Sequence, residues 1–132
     1  MTGKKFNFIV IDDSELDCFI AAKMIKHTGK CGTIKCFSVA TEALKHIAGA
    51  EDGQDQVETI VLLDVLMPVM SGFAFVEAFE SLAEDIRARH HIIALTSSMN
   101  KNDIEKIAAY ESVKNVLDKP ITTEALSALL EA

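Results

Sequence analysis

The sequence predicts an α/β domain of (βα)5 type, a five-stranded parallel sheet doubly wound with helices on both faces. Three observations carry this expectation. Five short apolar runs, at 6–11, 33–37, 60–63, 91–95 and 113–117, are mostly rich in Val and Ile and bounded by polar or turn residues. Segments with helical spacing follow each of them. The length of 132 residues, 49% of them hydrophobic and 25% charged, suits a single domain with a substantial core. Runs this apolar match strands covered on both faces, and right-handed crossovers in such a chain give a parallel sheet.

Each helix has its own signature. The first carries Leu16, Ile20, Ala21, Met24 and Ile25 on one broad stripe and stops near Gly29. The second runs from about Val39 to Ile47 and presents Ala43, Leu44 and Ile47. Phe75, Val76, Phe79 and Leu82 mark the third, and Ile104, Ile107 and Ala108 a weaker fourth. The last starts at Thr122, an N-cap residue after Pro120, and buries Leu126, Leu129 and Leu130. A polar, acidic loop spans 49–58, with Gly53 inside it.

Composition excludes several classes of function. Thirteen Lys and Arg against twenty Asp and Glu give a net charge of −7. That charge disfavours binding to nucleic acid or an anionic membrane surface. Cys18, Cys31 and Cys36 are odd in number and scattered, neither a disulfide framework nor a zinc motif. Reduced thiols, with no secretory signal or membrane span, point to the cytoplasm. Cys18 and Cys36 read as small core or helix residues, Cys31 as a loop thiol, and His27, His46, His90 and His91 as solvated side chains.

Ligands of open α/β sheets gather at the carboxyl ends of the strands. Asp12-Asp13 follow the first run, Asp64 the third, Thr96-Ser97 the fourth and Lys119-Pro120 the fifth. Singly, each has a plainer reading: Asp12 or Asp13 as a helix cap, Asp64 as a turn residue, Lys119 as a surface lysine. Jointly they bring three carboxylates, a hydroxyl and an ammonium to one edge. Converging carboxylates demand protons or a cation, and Mg2+ with oxygen ligands relieves them. A lysine that pairs with phosphoryl oxygens and a hydroxyl that bonds an oxyanion complete a phosphoryl-transfer site. No G-x-x-x-x-G-K cradle is present, so a bound nucleotide is not expected and the nucleophile is a carboxylate of the chain itself.

These residues resemble the receiver domain of two-component response regulators. The match rests on Asp12-Asp13, on Asp64 within the stretch Asp64-Val65-Leu66-Met67-Pro68-Val69-Met70-Ser71-Gly72, on Thr96-Ser97 and on Lys119-Pro120. The resemblance implies a flavodoxin-like sheet in the order 2-1-3-4-5. It implies that Asp64 accepts a phosphoryl group from the phosphohistidine of a histidine kinase or histidine phosphotransfer protein. Mg2+ would be held by Asp13, Asp64 and the backbone carbonyl of Leu66, with Asp12 acting through water. Lys119 would bind the phosphoryl group, the Lys119–Pro120 peptide would be cis, and Thr96 would turn inward as the switch. The output surface would be the fourth helix, fifth strand and fifth helix, including Lys101, Glu105, Tyr110 and Glu111.

One departure stands out: Val116 occupies the position where receivers commonly place Tyr or Phe. Leu66 and Ser98 stand where similar proteins tune the phosphoryl lifetime. The whole chain, 1–132, is expected to be one receiver domain without an output domain. It would be a phosphoacceptor rather than an enzyme acting on a free substrate. A phosphatase of the haloacid-dehalogenase type would want an acid two residues after its nucleophile, where Leu66 or Ser14 stands. A flavin-binding module would find its phosphate repelled by Asp12 and Asp13. A degenerate receiver used only as a scaffold would ordinarily have lost part of the set.

Overall fold

The computed structural model describes residues 5–49, 58–65, 71–96, 101–119 and 121–131. Five strands, β1 (Phe6–Ile11), β2 (Cys31–Phe37), β3 (Thr59–Asp64), β4 (His90–Thr96) and β5 (Val113–Asp118), pair in parallel in the order β2-β1-β3-β4-β5. The helices are α1 (Glu15–His27), α2 (Ala40–Ala48), α3 (Gly72–Phe79), α4 (Glu84–Arg89), α5 (Lys101–Ala108) and α6 (Thr123–Glu131). The expected (βα)5 sheet and its order both hold. None of the described helices is long and apolar enough to cross a membrane.

Alternation along the strands divides the core into two layers. Ile9, Ile11, Val61, Leu63, Ile92 and Ala94 face one way and pack with α2, α3 and α5 through residues such as Ile47, Phe75 and Ile107. Phe8, Val10, Leu62, Ile93 and Leu95 face the other way, against Ala21 and Ile25 of α1 and Leu126 of α6. Burial on both faces is true of the central strands. The edge strand β2 instead exposes Gly32, Thr33, Lys35 and Cys36, because a strand with one neighbour is only half covered.

Several expectations need correction. There are six helices among the described residues, not five. The additional α4 has six residues and none of them is buried, so it leaves no periodic stripe to read. Leu82 lies past the end of α3, in the turn before α4, where its carbonyl accepts a 3.0 Å hydrogen bond from Arg87 Nε. Leu16, assigned to the buried stripe of α1, is 66% exposed; α1 turns Cys18, Ala21, Met24 and Ile25 inward instead. Cys31 opens β2 rather than sitting in a loop, and Cys36 is exposed on that same edge strand rather than in the core or a helix, because the strand has only one neighbour to cover it.

Two glycines have backbone reasons. Gly29, just past α1, takes φ +73°, the left-handed conformation that ends helices. Gly72 opens α3 against β3, its N–H donating to Val65 O at 2.8 Å. A Cβ there would come within 2.7 Å of Val65 Cα, so no larger residue fits without moving the chain just after Asp64.

His90 is buried, not solvated. Its Nδ1 lies 2.7 Å from Ile86 O, and a carbonyl can only accept, so Nδ1 carries the hydrogen. The ring meets Phe79 edge-on at 6.3 Å. Burial lowers its pKa below 6.5, with Arg89, His91 and His46 adding to the effect and the Ile86 bond opposing it. A histidine depressed in the fold favours folding above its unfolded value, and that contribution is lost as pH falls through the folded value. Urea unfolding should therefore show wild type losing more stability than His90→Gln between pH 7.5 and 5.5; parallel losses would refute the assignment.

Candidate functional site

In a parallel sheet every strand ends at the same edge, so register alone decides which terminal residues become neighbours. Ile11 pairs with Leu63 and Asp64 with Leu95, which sets Asp12 beside Asp64 and Thr96 one strand further on. Thr96 pairs with Asp118, and Lys119 N donates to Thr96 O at 2.7 Å, carrying the lysine onto the same rim.

Carboxylate oxygens of Asp12, Asp13 and Asp64 all lie within 4.8 Å of one another. Asp12 and Asp64 are buried and Asp13 is exposed, so the group opens to solvent on one side. Lys119 Nζ stands 2.6 Å from Asp12 Oδ2, 3.0 Å from Asp17 Oδ2 and 3.5 Å from Asp64 Oδ2. Burial works to lower the lysine pKa, but the hydrogen bonds to Asp12 and Asp17 and the charge of Asp64 outweigh it and raise it above 10.5. Three carboxylates thus share one ammonium. A cleft of about 240 Å3 beside them is lined by Asp12, Asp17, Ile20, Leu95, Lys119 and Ile121.

The helix-cap reading of the paired aspartates is answered locally. Ser14 is the N-cap of α1, its Oγ accepting from Asp17 N at 3.2 Å, and its own N–H donates to Asp12 Oδ1 at 3.0 Å. The second oxygen of Asp12 is left to Lys119. Below it, Cys18 Sγ donates to the Asp12 carbonyl at 3.3 Å. Burial pushes the Cys18 thiol up to about 12, with the neighbouring Cys36 and Asp12 adding to the shift.

A family model for the response regulator receiver domain matches residues 8–131. The chain belongs to that family. A response regulator receiver protein from Dyadobacter fermentans is 32% identical with a TM-score of 0.86, over 96% of this chain and 95% of the other. A two-component response regulator from Cytophaga hutchinsonii is 22% identical with a TM-score of 0.86, over 98% and 96% of the two chains. The receiver domain of a sensor histidine kinase from Pseudomonas aeruginosa, crystallised with magnesium in its active-site cleft, is 18% identical with a TM-score of 0.76, over 96% and 95%. No curated protein matches the chain.

In this receiver domain, Thr96 is buried and its hydroxyl donates to Asp118 Oδ1 at 3.2 Å. Val116 pairs with Ala94, two residues below Thr96, and packs against the layer that holds α5. Leu66, Ser97, Ser98 and Pro120, and with Pro120 the cis peptide, lie outside the described residues. Of the expected output surface, Lys101, Glu105 and Glu111 are exposed on α5 and the turn after it. Tyr110 is tied back instead, its hydroxyl donating to Glu77 Oε2 of α3 at 2.5 Å. Ser112 N donates to Glu80 Oε2 at 3.1 Å, and Lys106 Nζ sits 4.6 Å above the Phe73 ring, so three contacts join α3 and its C-cap to α5 and the turn after it.

Asp17 and Asp118 were not singled out in the sequence. Asp17 had one signal, an acid in the first helical turn one turn after Asp13. Asp118 immediately precedes Lys119, yet nothing in the pattern says which way it points. Replacing Lys119 with Met should leave a folded protein that is less stable by about 2 kcal/mol at pH 7. Because the lysine pKa is raised, its contribution is whole below 10.5 and fades as pH rises through the folded value. The gap between wild type and Lys119→Met in urea melts should accordingly close at high alkaline pH; a gap that persists there would refute the pairing.

Proposed function

We propose that this receiver domain takes a phosphoryl group onto Asp64 from the phosphohistidine of a histidine kinase or histidine phosphotransfer protein, and that a protein partner reads the result. One observation carries the reading: three carboxylates within 4.8 Å of one another, with an ammonium 3.5 Å from Asp64. Such a set fits a hard divalent cation with oxygen ligands. Asp13 and Asp64 would ligate Mg2+ directly, with the Leu66 carbonyl, and Asp12 through water. When bound, Mg2+ supplies charge neutralisation for the transferring phosphoryl oxygens. The magnesium-bearing receiver from Pseudomonas aeruginosa supports the choice of metal.

In the transfer, an Asp64 carboxylate oxygen attacks phosphorus in line with the donor imidazole. The N–P bond breaks and its electron pair stays with the imidazole, leaving an aspartyl phosphate. Lys119 is already beside Asp64 and has three hydrogens, so it can keep Asp12 while bonding a phosphoryl oxygen. Thr96 has one hydrogen. It can donate to Asp118 or to the phosphoryl group, but not to both. Leaving Asp118 and turning inward is therefore the event that couples Asp64 to the end of β4 and, through α5, β5 and α6, to the partner. Three cysteines without disulfides suit a cytoplasmic setting.

Beryllofluoride with Mg2+ should form an adduct with the wild type and none with Asp64→Ala. Acetyl phosphate labelling followed by mass spectrometry should place the modification on Asp64; equal binding by the variant, or label elsewhere, would overturn the proposal. Asp118→Ala removes the competing acceptor, worth about 0.5–1.5 kcal/mol as a net hydrogen bond. It should tighten beryllofluoride binding roughly 2- to 10-fold, and unchanged or weaker binding would show that Asp118 does not hold Thr96 back.

A further inference from the structure

The hydrogen bonds beside the acid cluster close into a ring. Asp12 Oδ1 accepts from Ser14 N at 3.0 Å, and Ser14 Oγ accepts from Asp17 N at 3.2 Å. Asp17 Oδ2 then accepts from Lys119 Nζ at 3.0 Å, and the same Nζ donates to Asp12 Oδ2 at 2.6 Å. The ring hangs on fixed backbone: Asp12 N donates to Phe37 O at 3.0 Å, Ser14 caps α1, and Lys119 N donates to Thr96 O at 2.7 Å. It joins the end of β1, the first turn of α1 and the end of β5.

Lys119 ends a flexible four-carbon stem, and its ammonium points in a set direction only where acceptors hold it. Its three hydrogens lie at tetrahedral corners. Asp12 and Asp17 take two of them, and the third faces Asp64 Oδ2 at 3.5 Å. That separation exceeds the roughly 2.7–3.2 Å of a formed N–H···O bond. One bond, to Asp12, would leave the ammonium free to turn about it; the second, to Asp17, stops the turning. Ile20, Leu95 and Ile121 wall the cleft that Asp17 and Lys119 line, and none of these has a side-chain acceptor to replace Asp17.

We propose that Asp17 is a positioning residue for phosphotransfer: by closing the ring it aims the third N–H of Lys119 at the phosphoryl oxygens carried by Asp64. Asp17 acts through Lys119 and does not touch the phosphoryl group. Its use in transfer rests on the phosphoacceptor reading above, whereas the clamp on Lys119 does not. The Asp17 side chain is 40% exposed against 2% for Asp12, so it can be replaced without opening the buried part of the cluster.

Two substitutions separate the bond from the charge. Asp17→Asn keeps an oxygen that accepts and loses the negative charge, and Asp17→Ala loses both. The first readout is the lysine ammonium 1H–15N spectrum of the labelled full chain in magnesium-free buffer, with the Lys119 signal assigned as the one lost in Lys119→Met. That signal should be resolved in the wild type and Asp17→Asn and vanish in Asp17→Ala, where the ammonium is left to exchange with water. A wild type without it, or an Asp17→Ala that retains it, would overturn the clamp. The second readout is calorimetric titration with beryllofluoride at saturating Mg2+. Asp17→Ala should bind roughly 3- to 10-fold more weakly, with Asp17→Asn nearer the wild type. Equal weakening in both variants would make Asp17 a counter-charge, tighter binding by Asp17→Ala would make it a competitor for Lys119, and unchanged binding would leave the ring structural. Each of these results overturns the positioning role. If the wild type takes up no beryllofluoride, the phosphoacceptor reading and the role in transfer fail together, while the lysine signal still decides the clamp.

Discussion

Negative charge crowded onto one rim of the sheet is the constraint from which the rest of this receiver domain follows. Asp12 and Asp64 are nearly withdrawn from water, Asp13 and Asp17 stand beside them, and Lys119 is shared among three of the four. A buried carboxylate persists as an anion only where donors or cations answer it. Here the answers come from the Ser14 N–H, from one ammonium, and from an opening at Asp13 through which a divalent ion can enter.

Holding that charge in place is what the fold does. Three central strands, covered on both faces, fix the register that lines up Asp12, Asp64 and Thr96, and the apolar layers on either side leave them no room to slip. Gly72 closes the end of β3 by letting α3 approach within a distance that a side chain would forbid. The edges are looser. β2 and β5 expose much of their length, and β5 carries Asp118. Rigid centre and open margin divide the work between holding the acids and responding to change.

How a charge event at Asp64 could reach the surface is narrowed by what surrounds Thr96. The residue beneath it on β5 is Val116, which has no large ring to swing between two positions. The hydroxyl donates to Asp118, and α5 with the turn after it is bound to α3 and its C-cap through Lys106, Tyr110 and Ser112. A shift at the end of β4 would therefore be felt across a surface that includes α3, broader than the α5–β5–α6 face expected from the family.

The strands, their order of appearance and the residues at their carboxyl ends were legible in the sequence, because buried strands need short apolar runs and a parallel sheet delivers every run's end to one edge. Asp12, Asp13, Asp64 and Lys119 do converge, as that reasoning requires. Tertiary structure decided what periodicity cannot carry. The short α4 is held by the Arg87 and His90 contacts rather than by an apolar stripe, and Leu16 is exposed because the axial rotation of α1 is set by its packing on β1 and β2. Asp17 and Asp118 find their partners on other elements. A one-dimensional pattern records which side chains are present; only folding in three dimensions sets which charges and hydrogen-bonding groups must share a space.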